Sequence, residues 1–351
     1  MPEAGSPPPA ARALAPPPPG GAREPQPARG PPGPGADHCL CLGEPRNHTG
    51  VVEFFLLGLS DDPERQQLIF CVFLSMYLVT VMGNLLIILA IASDPHLHTP
   101  MYFFLSILSV ADIGFTSATV PKMISNIQTH SRALSHMDCL LQLSLLYFFL
   151  CLDSALLAGM VYDRFVAICH LLHYPATMNP CLCGLLVLAS LWVSLLDSQV
   201  NCLMISQLTF CTHVDVPNFF CDPPQLIKLA CEGTSLYTIF MYIIGIIFGG
   251  IPVLGILFSY RQIVSSVLRV PSAGGRFKAF STCGSHLSVV CLFYGTGFGA
   301  YLGSAVSHSP GLGVVASVVY TVVVPILNPF IYSLWNRDIK MALKSLLIRK
   351  T

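Results

Sequence analysis

Met160-Val161-Tyr162-Asp163-Arg164-Phe165-Val166-Ala167-Ile168-Cys169 closes a long apolar run, Leu140 to Val161, with an acid and a base side by side. A single such charge costs about 3 kcal/mol at the centre of a hydrocarbon layer. The pair therefore belongs at a membrane boundary or against a protein interior. It can simply mark where the helix leaves the bilayer. It can also act as a latch, with Arg164 held by Asp163 in one packing and released to another partner in a second.

The rest of the chain supports the membrane reading. Of 351 residues, 53% are hydrophobic and only 10% charged, and the mean hydropathy is +0.66. Soluble domains carry about 25% charged residues. So much apolar surface cannot be hidden from water, which makes the chain an integral membrane protein. Net charge is zero, and no basic block or aromatic-interleaved patch points to nucleic acid. Most of the fourteen cysteines lie in apolar runs, where a thiol behaves as a small hydrophobe.

Residues 1–46 are rich in Pro, Gly and Ala, as in Pro16-Pro17-Pro18-Pro19, and predict a disordered extension. Residues 47–67 follow as an N-terminal segment that opens on the sequon Asn47-His48-Thr49. Seven apolar runs of spanning length come next, near 68–92, 101–126, 139–163, 181–204, 236–260, 279–303 and 312–334. The fold class is thus all-α, a seven-transmembrane helix bundle over 68–334 with a short C-terminal helix in 335–351. Basic residues gather after the fifth span (Arg261, Arg269, Arg276, Lys278) and in the tail (Arg337, Lys340, Lys344, Arg349, Lys350). The positive-inside rule then puts the C-terminus in the cytoplasm and the N-terminus outside. Asn47 becomes a glycosylation candidate. Cys139, Cys211, Cys221 and Cys231 face the oxidising side, where four cysteines read as two disulfides with three pairings open.

Few polar groups interrupt the spans. Asp112 and Asp153, with Asn328 opposite, offer oxygen ligands to a sodium ion or else form an internal hydrogen-bond network. Asn84 is a further polar companion, and Asp197 has no evident partner. Asn328-Pro329-Phe330-Ile331-Tyr332 puts a kink and a tyrosine at the inner end of the last span. Tyr147, Leu150, Cys151 and Ser154 share one helix face, as do Tyr294, Phe298 and Tyr301. Either stripe can be ordinary packing or the wall of a pocket. Cys169, His170 and His173 make a poor metal site, and no catalytic motif is present, so no enzyme is expected.

Taken together, several strings resemble those of the odorant (olfactory) receptors of class II, within the rhodopsin-like G-protein-coupled receptors. They are Gly83-Asn84, Pro100-Met101-Tyr102-Phe103-Phe104-Leu105-Ser106, Pro121-Lys122-Met123, the stretch 160–169, Ser259-Tyr260, 278–287 and Pro325 to Tyr332. The resemblance implies binding of a small volatile odorant and activation of a heterotrimeric G protein, raising cyclic AMP, at the plasma membrane. It makes Asp163 and Arg164 the latch, with Tyr260 and Tyr332 as switch partners and Lys278 and His286 on the moving sixth helix. It implies Cys139–Cys221 and Cys211–Cys231 as the bridges, and Tyr294 as an aromatic toggle beneath a pocket formed by Tyr147, Leu150, Cys151, Ser154, Phe298 and Tyr301. Val161, Phe165, Leu171 and Trp335 depart from the family's usual Ala, Tyr, Pro and basic residue. The alternatives are a small-solute transporter or channel, or a receptor of weakened coupling. A transporter's matching halves are absent from the sequence.

Overall fold

The computed structural model describes residues 53–56, 62–129, 131–210, 213–230, 234–269, 271–306 and 310–348. The predicted extension 1–46, Asn47, Cys211 and Cys231 lie outside the described residues.

β1 (Glu53–Leu56) leads into α1 (Pro63–Ser93), which starts where the Asp62 carboxylate accepts from the Glu64 N–H and Pro63 fixes the first turn. α2 (Pro100–Ser117) and α3 (Val120–Thr129) form the second span, and β2 (Ala133–Ser135) precedes α4 (His136–Cys169). Ser135 caps α4 through the Asp138 N–H. The short α5 (Tyr174–Thr177) leads to α6 (Pro180–Ser206), which Asn179 caps. Beyond β3 (His213–Val216) and α7 (Pro223–Leu229), α8 (Thr234–Ile244) runs through a π-helical segment, Gly245–Gly250, into α9 (Ile251–Leu268). α10 (Ala273–Val306) covers the expected 279–303 span. α11 (Pro310–Val318) continues through a second π-helical segment, Val319–Val323, into α12 (Val324–Trp335), and α13 (Arg337–Ile348) ends the order.

The result is a seven-helix bundle. Among the described residues, six helices are long and apolar enough to cross a bilayer, and α10 adds a seventh of 34 residues. α4 is its axis, packing on α2, α6, α9 and α10. Its inward face joins the largest apolar core through Leu152, Leu156, Leu157 and Met160. The outward faces are apolar as well: Leu85 and Leu89 on α1 and Leu188 and Trp192 on α6 are exposed. Apolar surface of that extent is stable in hydrocarbon, with the backbone polar groups satisfied inside each helix.

The second span is not one continuous helix. It breaks at Ala118–Thr119, where Pro121 has no N–H to offer the Ser117 carbonyl; Gln142 Nε2 of α4 donates to the adjacent Ala118 carbonyl at 2.9 Å. The segment before α1 contributes a strand that the sequence pattern does not announce. β1 pairs antiparallel with β2 (Phe54 opposite Leu134) and parallel with β3 (Phe54 opposite Val214), in the order β2-β1-β3. This small sheet sits at one end of α4, and Asp163 lies toward the other.

Candidate functional site

At its far end α4 presents Asp163, whose side chain is 0% exposed and so packed against the protein interior. Arg164 Nη2 lies 2.9 Å from its Oδ2. Tyr174 Oη, from α5, donates to its Oδ1 at 2.9 Å. Sequence reasoning missed Tyr174, whose only signal is a tyrosine in the turn just after the charged stretch. Burial and the Asp163 charge raise the Tyr174 phenol pKa above its usual value, which keeps it a donor. Arg164 Nε is buried without a hydrogen-bond partner, leaving a donor for a second acceptor. Nearby, Tyr260 Oη lies 2.8 Å from His286 Nδ1, and their rings stack. Tyr332 Oη is buried and unpartnered.

In mid-bundle, both Asp112 carboxylate oxygens accept from Asn328 Nδ2 at 3.0 Å. Asp153 is the electrostatic neighbour of Asp112. Asp153 Oδ1 and Asn328 Oδ1 are buried without partners, an all-oxygen set whose chemistry fits a small hard cation. Pro329 cannot donate to the Pro325 carbonyl four residues before it; Asn84 Nδ2 of α1 does so instead at 3.4 Å. Gly83 eases that approach, since a Cβ there would lie 3.2 Å from the Pro329 ring, closer than an ordinary contact. Asp197 does have a partner, Asn201 Nδ2 at 3.0 Å one turn on. Cys169 lies 3.3 Å from Ser266 Oγ, and no group of three metal-ligating side chains occurs among the described residues.

Above this centre Ser154 joins three helices. Pro252 leaves the Phe248 carbonyl without its usual helical donor, and Ser154 Oγ donates to it at 3.1 Å. With the Ser154 proton committed there, Tyr294 Oη donates to Ser154 Oγ at 2.8 Å. Tyr294 in turn stacks on Phe298, ring centroids 6.3 Å apart. The other stripe residues diverge. Tyr147 Oη meets Tyr237 Oη at 3.3 Å, Leu150 packs against the cluster that contains Leu146, Phe219 and Phe220, and Cys151 is buried. The Tyr301 and Lys278 side chains lie outside the described residues.

The sheet end is closed by the Cys139–Cys221 disulfide, with Cα atoms 5.7 Å apart. Gln142 Oε1 accepts from the Cys221 N–H at 2.8 Å, fixing the loop over α4. Phe219 and Phe220, 1% and 0% exposed, plug the bundle just before the bridge.

The family profile described as Olfactory receptor matches residues 70–350. A human protein named Olfactory receptor 7E24 is 63% identical over 305 residues, 87% of this chain and 90% of its own. A mouse protein named Olfactory receptor 7E178 is 62% identical over 313 residues, 89% of this chain and 94% of its own. The human Olfactory receptor 7D4 is 59% identical over 306 residues, 87% and 98% of the two chains.

The chain belongs to the olfactory receptor family.

It is accordingly a multi-pass membrane receptor of the G-protein-coupled class and not an enzyme. Within this olfactory receptor the departures from the family pattern have definite places. Val161 is buried in the main core, and Phe165 sets its ring edge-on to His170 at 5.3 Å. Leu171 opens an exposed turn, and the Trp335 side chain lies outside the described residues.

Next to the bridge, Asp222 is 5% exposed, and burial raises its pKa to about 7, opposed by Asn218 and by the Lys228 charge. An unfolded aspartate titrates near 4. Between those values the folded loop holds a proton that the unfolded chain has lost, so loop stability falls as pH rises from about 4 through about 7 and is level above. Purified olfactory receptor should therefore melt at a lower temperature at pH 8 than at pH 5, and Asp222→Asn should flatten that slope. Equal slopes in both proteins would show that Asp222 does not titrate in this window.

Proposed function

We propose that this olfactory receptor sits in the plasma membrane with its N-terminus and sheet end outside. It binds a small volatile odorant near Ser154, Tyr294 and Phe298, and activates a stimulatory, olfactory-type heterotrimeric G protein that raises cyclic AMP. The observation that carries the reading is the continuity of α4. One helix joins the Ser154–Tyr294 contact to the Asp163–Arg164 pair nearer its other end. A ligand altering the Tyr294 contact acts on the same rigid element that holds the latch.

In this reading residues 1–46 and 47–67 are extracellular, 68–334 form the receptor domain, and 335–351 with α13 are cytoplasmic. Asn47 is glycosylated, and Cys211 bridges to Cys231. Tyr147, Leu150, Cys151 and Tyr301 complete the pocket. On the inner side Lys278, His286, Tyr260, Asn328, Pro329 and Tyr332 take part in the switch, and Asp112, Asp153 and Asn328 supply oxygens to a sodium ion.

Odorant-stimulated cyclic AMP in cells, set against solute flux in proteoliposomes, separates this function from transport. Flux without a cyclic AMP response to any odorant would reject the receptor reading. Apolar burial dominates the expected binding, and a phenyl side chain is worth about 1.5–3 kcal/mol when covered. Phe298→Ala should thus reduce agonist potency at least tenfold at equal surface expression. Unchanged potency for every agonist would move the pocket away from Phe298.

A further inference from the structure

On the Tyr260 side of Tyr294 a cavity of about 160 Å³ lies between α9 and α10. The two helices touch each other sparingly along their lengths, whereas α9 packs firmly on α4 and α10 on α12. Ile256 and Val290 form the inner wall, 4% and 6% exposed. Leu257, Leu287 and Cys291 form the outer rim and are exposed. Tyr260 and Tyr294 close the ends, and both hydroxyls are engaged elsewhere, with His286 and Ser154. What remains toward the cavity is hydrocarbon, aromatic ring and one thiol.

The rim decides what reaches it. α9 belongs to the span Thr234–Leu268, whose most apolar window is only 11% buried, so its outward side chains meet bilayer hydrocarbon. Val253 to Tyr260 begins well inside that span, and Leu287 to Tyr294 is mid-way along α10. An aliphatic cavity of about 150 Å³ stays dry and takes up a benzene-sized hydrocarbon. At this depth the hydrocarbon at hand is the lipid tail.

We infer that the gap between α9 and α10 is an intramembrane binding site for a segment of lipid acyl chain, entering past Leu257, Leu287 and Cys291 to lie against Ile256 and Val290. The cavity shares the Tyr294 ring with the proposed odorant pocket but lies on its Tyr260 side and opens toward the lipid.

The test is photolabelling of the full receptor in nanodiscs made with phosphatidylcholine carrying a mid-chain diazirine, followed by peptide mapping. It needs neither odorant nor G protein, so its failure is separable from failure of the receptor reading. The informative positions are Ile256 and Val290, which bulk lipid does not touch. Label there at least fivefold above Leu105 and Leu108, which are also buried in the main core, is the expected result. Cys291→Phe, which fills the mouth from the lipid side, should abolish label at Ile256 and Val290 while leaving that at Leu188 on α6. Label confined to exposed positions such as Leu257, Leu287 and Leu188 would mean ordinary surrounding lipid only and would overturn the site. Label at Ile256 and Val290 that Cys291→Phe leaves unchanged would overturn the proposed entry.

Discussion

Cys221→Ser should leave less than about a tenth of the normal receptor at the cell surface. The bridge to Cys139 closes a loop spanning 82 residues, which in the chain-entropy account constrains the unfolded state by about 4.5 kcal/mol. Losses of 1–2 kcal/mol already change cellular abundance several-fold. The effect is amplified by what the bridge anchors. Cys221 is fully buried, its N–H is held by Gln142, and Phe219 and Phe220 are driven into the core beside Phe73 and Phe115. Releasing the loop exposes those two rings together. Surface biotinylation of Cys139→Ser, Cys221→Ser and the double variant should give the same low value for all three, since either single change removes the whole bridge. Cys71→Ser, at an exposed free cysteine, should be near normal. Near-normal surface levels in the Cys221 variant would show that the loop packs without its bridge.

Much of this architecture was written locally and so could be read in advance. Apolar runs of spanning length force helices because a bilayer offers the backbone no other partners. The 160–169 stretch marks the end of α4 for the same reason. Pro329 and Asn328 announced a kink with polar company, and the structure puts Asn84 on the carbonyl that Pro329 frees and Asn328 on Asp112. What stayed hidden depends on residues distant in sequence. The sheet joins Phe54 to Leu134 and Val214, three short segments too brief to show an alternating pattern. Tyr174 matters only because α5 folds back onto Asp163. The break at Ala118 was legible in Pro121 only once Gln142 was known to face it. The stripe Tyr147, Leu150, Cys151, Ser154 is a true helix face, yet spacing alone could not foretell that Tyr147 meets α8, Leu150 the cluster containing Phe219 and Phe220, and Ser154 Tyr294.

Asp163→Asn should raise basal signalling per surface receptor about fivefold or more, while Arg164→Ala should lower odorant-stimulated signalling with odorant binding retained. The asymmetry follows from the geometry. Asp163 is fully buried, and its two oxygens hold Arg164 Nη2 and Tyr174 Oη, so the carboxylate ties α4 to the α5 turn as well as to its neighbour. An amide keeps the shape and still accepts from Tyr174 but removes the charge that holds the guanidinium. Coupling energies of 1–3 kcal/mol between such alternatives correspond to about 5- to 150-fold changes in population. Arg164, with its spare Nε donor, is then free to take a partner that the resting packing denies it. Removing the guanidinium leaves the resting packing with a buried, unpaired carboxylate and leaves the signalling arrangement without its donor. Breaking such a pair from one side is destabilising by about 3–5 kcal/mol. Arg164→Ala should therefore also reduce the amount of folded receptor, and signalling must be expressed per molecule at the surface. Tyr174→Phe supplies the control for structure alone: it removes one hydrogen bond to the same carboxylate and no charge, and should raise basal signalling by less than Asp163→Asn does. A latch gives opposite signs for Asp163→Asn and Arg164→Ala and an intermediate value for Tyr174→Phe. If all three lose folded receptor alike and signal normally per molecule, Asp163 and Arg164 serve only to fix the end of α4.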